Sequence, residues 1–206
     1  MRIAQTDATL RKAAEAVQYE ASMLGATLQL SLESGTWIDS TPREHSIANS
    51  LLHSFLIASR NLCHFLYSHN PQPTDIVAED FFDDPDEWRN LRPDPIPDLA
   101  DGSFVQLISR RLLHLTYDRA AGTKPTWTSF RIAWELAKAL DIFVARVPKH
   151  RIPDDIIEDV YALVQTLTKT IAEWGSVDDV ESVPLTTLWN EDGFWTQPGI
   201  AETRHP

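Results

Sequence analysis

PDDIIEDVYALVQTLTKTIAEWG, residues 153–175, reads as an amphipathic helix with both ends marked. Ile157, Val160, Val164, Leu167, Ile171 and Trp174 recur at three- and four-residue spacing, the period of one helix face. Pro153 stands near the first helical position, and Asp154 and Asp155 complement the positive end of the helix dipole. Gly175 follows the last periodic residue, where a left-handed cap is common. The same period extends back through the chain. Residues 128–147 place Phe130, Trp134, Ala137, Leu140 and Val144 inward, and Pro148 closes them. A Gly-Thr-Lys-Pro turn at 122–125 separates this helix from a third one over Ser103–Tyr117, with Val105, Ile108, Leu112 and Leu115 as its core stripe.

Two more helices precede these. Residues 7–34 carry Leu10, Ala13, Ala14, Val17, Ala21, Leu24 and Leu28 on one face, with Thr6 or Asp7 as the cap and Gly35 as the stop. Gly25 is a weak point, costing about 1 kcal/mol against Ala in a helix interior. The second helix spans about 43–68, with Pro42 near its first turn and Ile47, Leu51, Leu52, Phe55, Leu62, Phe65 and Leu66 inward. His69-Asn70-Pro71-Gln72-Pro73 ends it. Residues 71–101 then hold six prolines and ten acidic residues. They read as an extended segment with one short helix near 86–91, and Ile76, Val77, Phe81, Phe82 and Trp88 favour packing across the body. The carboxylates Glu79, Asp80, Asp83, Asp84, Asp86 and Glu87 read as solvated, since they lack the glycine and alternation of a calcium loop.

The reading is therefore an all-α protein: a bundle of about five main helices over residues 1–175, with an irregular acidic crossover. Residues 176–206 form an acidic, Trp-containing C-terminal extension. Trp134 and Trp174 fit core positions, whereas Trp189 and Trp195 suit a partner contact.

With 206 residues and 43% hydrophobic content, the chain can bury a sizeable core. No apolar run approaches the roughly 18 residues of a membrane span, and the N-terminus has no apolar signal region. Cys63 is the single cysteine, which excludes an internal disulfide and a cysteine-rich zinc site. A cytoplasmic protein is the default expectation. The net charge of −12 is uneven: residues 102–151 carry nine basic and three acidic residues, and the flanking segments are acidic. Global charge of this sign disfavours RNA, while the basic centre leaves room for a local anion site.

One pattern carries chemistry. Ser-Arg-x-Leu-x-His-x-x-Tyr occurs as Ser59, Arg60, Leu62, His64, Tyr67 and again as Ser109, Arg110, Leu112, His114, Tyr117. Arg and His four apart share a helix face, a fixed cation beside a group that moves protons near neutral pH. On the second helix the stripe extends through Ser46, Asn49, His53 and Ile57, opposite the apolar face. It lacks the Lys and Glu of a solvent face and has the composition of an interface. The third helix offers Ser103, Leu107, Arg110, His114 and Tyr117. If the two stripes meet, Arg60, Arg110, Asn49, His53, Tyr67 and Tyr117 can hold an anion, and His64 and His114 can transfer protons. The competing reading is structural, with these side chains satisfying carbonyls and carboxylates of their own fold.

No metal is expected: His53 and His64 share a face but lie about 16 Å apart by helical rise. No cofactor is expected either, because the phosphate-binding and dinucleotide glycine motifs are missing.

The segments ASRNLCHFLY (58–67), DIVAEDFF (75–82) and SRRLLHLTYDR (109–119) resemble a group of small helical bacterial proteins and, more distantly, the HEPN superfamily. That resemblance covers about the middle half of the chain. It implies a helical bundle, and in active members a metal-independent endoribonuclease of toxin–antitoxin or phage-defence systems. Such members pair two Arg-x(4–6)-His motifs across a dimer. Here Arg60 to His64 and Arg110 to His114 each have three intervening residues, outside that spacing. The resemblance thus implies a non-enzymatic HEPN-like protein that works through a protein partner or homodimer. The alternative is the ribonuclease, with His64 or His114 as general acid/base and Arg60 and Arg110 stabilising phosphate charge.

Overall fold

A computed structural model describes residues 4–33, 41–68, 70–96, 99, 102–113, 129–174, 188–189 and 195–196. His114, Leu115, Tyr117, Gly35, the 122–125 turn, Trp37, Trp127 and the side chain of Trp174 lie outside them. The described residues build the all-α bundle, with six α-helices: α1 (Asp7–Glu33), α2 (Pro42–Tyr67), α3 (Pro85–Leu91), α4 (Ser103–Ile108), α5 (Ser129–Arg146) and α6 (Asp154–Trp174). The only extended pairing among them is two residues long, Leu188–Trp189 against Trp195–Thr196.

Local chemistry sets the helix ends. The Thr9 N–H donates to Thr6 Oγ1 at 3.2 Å, which satisfies one open donor of α1. Thr41 and Glu44 form a reciprocal capping box on α2, with Pro42 in the first turn. Asp84 caps α3 through the Asp86 N–H at 2.9 Å.

The four long helices share one core. α1 packs antiparallel to α2 and α5 antiparallel to α6, while α1 and α6 run parallel. Three contacts at successive levels give that last direction: Arg11 to the Ile152 carbonyl, Gln18 to Asp159, and Gly25 against Leu163. Leu24, Leu28, Leu56, Leu62, Leu136, Leu140 and Phe143 are fully buried between them.

The acidic crossover is part of this core. Val77, Ala78, Phe81, Phe82 and Trp88 are buried, as their apolar character suggested, whereas Ile76 is 39% exposed. Phe143 of α5 meets Phe65, Phe81 and Trp88 edge-on at 5.1–5.7 Å between centroids, and Phe82 stacks on Trp88. The crossover also closes the open end of α2. Trp88 Nε1 and Arg92 Nη1 donate to the Leu66 carbonyl, and the Ser68 N–H donates to that of His64.

Several expectations need correction. Glu79 is not a solvated carboxylate: it is buried and takes a two-pronged hydrogen bond from Arg89, 2.8 Å on each side. Ile47, assigned to the core, is 40% exposed, because α1 does not cover the first turns of α2 fully. Trp134 is only partly buried. On the third helix Phe104 and Ile108 are buried, and Val105 and Leu112 only partly so. That helix is also not uniform. After Ile108 it widens into a π-helical turn, Ser109–Leu113, at the second copy of the repeated pattern.

Candidate functional site

The two copies of the repeated pattern meet. Arg60 on α2 donates from Nε to Ser109 Oγ at 2.9 Å, and Ser109 Oγ donates in turn to the Val105 carbonyl at 2.8 Å. Arg60 Nη1 donates to Asn61 Oδ1 at 3.0 Å, and Asn61 Nδ2 donates to Glu20 Oε1 on α1 at 2.8 Å. A half-buried chain of side chains thus links α1, α2 and the π turn. Burial of Glu20 raises its carboxyl above the ordinary 4.5, partly offset by the hydrogen bond from Asn61.

His64, one turn along from Arg60, belongs to a different system. Its Nε2 lies 2.9 Å from Asp75 Oδ2, and the side chains are 35% and 26% exposed. Asp75 is held in place by the Gln72 N–H at 2.7 Å, while its own N–H donates to the Gln72 carbonyl. This reciprocal turn fixes the carboxylate where α2 ends. An imidazole with its Nε2–H on a carboxylate has Nδ1 as its basic nitrogen. The carboxylate thus holds the imidazole in one orientation, and both side chains stay partly exposed.

Other candidates are spread out. Ser59 is buried and its Oγ donates to the Phe55 carbonyl at 2.8 Å, the usual back-bond of a helix serine. His53 and Asn49 lie half-buried about two and three turns before Arg60 on α2, and Ile57, 36% exposed, separates them from it. Arg110 is exposed on the π turn and donates to Gln106 Oε1 at 3.3 Å. Among the described residues no three His, Cys, Asp or Glu side chains gather to hold a metal ion.

Tyr67 is the clear displacement. The helical wheel sets it on the outer stripe, yet it is 3% exposed. The crossover folds over the last turn of α2 and converts that face into interior. Its hydroxyl makes no hydrogen bond among the described residues, and the Arg92 guanidinium lies 5.6 Å from the ring centroid. Burial, reinforced by Cys63, Glu135 and Asp94 and opposed by Arg92, pushes the Tyr67 hydroxyl well above the usual phenol range. Nearby, Cys63 is buried with its thiol toward the Leu99 carbonyl at 3.7 Å, and burial pushes it up to about 12.

Comparison with family models, with curated proteins and with solved structures finds no match for this chain. No helix among the described residues is long and apolar enough to cross a membrane.

Two partners of this site escaped the sequence reading. Asp75 had a local signal, an acid closing a Pro-rich turn directly after the helix that carries His64. Glu20 had none, since its position opposite Asn61 depends on how α1 packs on α2.

Proposed function

We propose that this chain is a HEPN-like helical protein that acts without catalysis, through a protein partner or a homodimer. The observation that carries this reading is the separation of Arg60 from His64. The guanidinium is engaged within the bundle by Ser109 and Asn61, while the imidazole is turned to Asp75. An arginine serving as an internal strut is poorly placed to neutralise a phosphate as charge develops on it. The outer face of α2 supports the partner role, because half-exposed Asn49, His53 and Ile57 have the mixed apolar and polar character of an interface rim.

A second reading keeps one specific support. The half-exposed His64–Asp75 pair has the geometry of an oriented acid/base group, as a metal-independent ribonuclease needs. The two readings separate in one experiment. RNA cleavage is measured in EDTA for wild type, His64→Ala and Asp75→Asn, alongside sedimentation equilibrium of the wild type. The partner reading expects negligible, equal cleavage in all three. Cleavage by wild type that both variants lose replaces it with the ribonuclease.

A further inference from the structure

Two stretches of this chain carry no fixed charge on any face. Residues 21–32 of α1 and 46–59 of α2 contain no Lys, Arg, Asp or Glu, where the chain's 23% charged content would place about six. The stretches lie side by side in one slab. Asn61 bonds Glu20 just beyond one end, and Leu30 and Ile47 line one groove at the other. The slab is open to solvent: Ser22, Ala26 and Ser50 are exposed, and Leu30, Ile47 and Ile57 are 47%, 40% and 36% exposed. Met23 and Leu30 of α1 face Ile47 and Leu51 of α2 across the groove, of about 470 Å³. A solvated helix face ordinarily carries charged side chains, and their depletion marks the centre of an interface.

Charge selects the occupant. At −12 overall, two copies repel wherever their acidic surfaces meet, whereas this slab can face its own copy without opposing carboxylates. The charges at its ends fix the arrangement. Arg43 and Glu33 stand at one end, Arg60 and Glu20 at the other, with both cations on α2 and both anions on α1. When α1 of one copy lies over α2 of the other, like ends together, each cation level meets an anion level. End-over-end reversal sets Arg43 over Arg60 and Glu33 over Glu20. In the first arrangement the two seams face each other, and Met23, Leu30, Ile47 and Leu51 of both copies close one shared four-helix core. Twelve helical residues are about 18 Å long, and two helices are roughly 20 Å wide. The footprint is thus on the order of 400 Å² per copy, about half that of a stable partner face, so the association is weak and concentration-dependent.

We propose that the uncharged α1–α2 slab is the face on which two copies of this chain associate, with α1 of each over α2 of the other. The proposal rests on the homodimer arm of the function proposed above and names its surface.

Sedimentation equilibrium of the full chain over roughly 10–1,000 µM tests it. Wild type is expected to dimerise with a Kd on the order of 100 µM. Ala26→Glu and Ser50→Glu each place a carboxylate at an exposed position of the slab. Both are expected to weaken association at least ten-fold while far-UV circular dichroism stays unchanged. Tyr161→Glu on α6, 51% exposed, is expected to leave association unchanged. Arg43→Glu is expected to weaken it at least three-fold, and adding Glu33→Arg to restore it. A wild type that stays monomeric at about 1 mM overturns the proposal, and the function above then keeps its foreign partner. A dimer that both slab variants leave intact overturns this face and spares the homodimer reading. Failure of Glu33→Arg to restore association also overturns the arrangement. The cleavage assay above decides the functional reading separately.

Discussion

Arg60 and Ser109 form a single contact whose weight is measurable. A side-chain hydrogen bond to a charged donor, part-buried as this one is, contributes on the order of 1 kcal/mol net. Ser109→Ala and Arg60→Ala are each expected to lower the unfolding free energy, and their double-mutant cycle to give a coupling of about 1 kcal/mol in urea titrations. A coupling near zero means that the two copies of the pattern meet without holding each other. Glu20 makes a pH-dependent prediction at the same site. Its folded-state carboxyl is raised, so the native protein binds the proton more tightly than the unfolded chain does. The stability this gives is fully present below about 4.5, the unfolded value, and is lost as pH rises through the folded value. Glu20→Gln cannot ionise but keeps an oxygen for Asn61. It is expected to be more stable than wild type at pH 7 and to lose that advantage below pH 4.5, read as melting temperature against pH.

Gly25 shows how an element's weak point can belong to its packing. From sequence alone it reads as a cost to α1. In the bundle a Cβ at this position meets Leu163 Cγ at 3.4 Å and its methyls at 3.5 and 3.6 Å, which is ordinary contact. Gly25→Ala is therefore expected to stabilise by about 0.5–1 kcal/mol through helix propensity, whereas Gly25→Val, with two further methyls against Leu163, is expected to destabilise. Thermal melts of the two variants moving in opposite directions check it. Gly102 is the opposite case. Its φ of +75° is left-handed, no described residue lies within 4 Å of its missing Cβ, and Gly102→Ala is expected to cost about 1 kcal/mol through backbone conformation alone. Long helices were legible because their apolar residues keep a 3.6 period over five or more turns, as Val160, Val164, Leu167 and Ile171 do in α6. The third helix was legible as a helix but its inner stripe was not: Phe104 rather than Val105 is buried before the π turn, and from Ser109 on the π turn shifts a register that a helical wheel holds constant. Tyr67 misled for a related reason. A wheel shows which residues share a face, and the crossover decides whether that face sees water.

At the scale of the whole molecule the acidic crossover is the fastening. Arg151, 17% exposed, reaches Asp83 at 2.5 Å and the Asp80 carbonyl at 3.4 Å, and its Nε lies 3.4 Å from Asp7 at the start of α1. Trp88 fills the interior behind it with no exposed surface. Trp88→Ala is expected to cost about 3–5 kcal/mol by cavity formation, and to free the end of α2 as well. Hydrogen exchange speeding up over residues 62–68 along with 77–92 checks that linkage. The site was legible only in outline, since the stripe on α2 follows from helix geometry. Its partners Asp75, Glu20 and Ser109 arrive from other segments, along a chain path that no local period encodes. The buried thiol of Cys63 has a last consequence, for kinetics. With its proton held up to about 12, the thiol is almost wholly un-ionised at pH 8 and shielded from reagent. Alkylation is then expected only from molecules whose α2 has parted from Leu99. The chain's single sulfhydryl is a clock for core opening, and rapid modification of the native protein by a thiol reagent would contradict it.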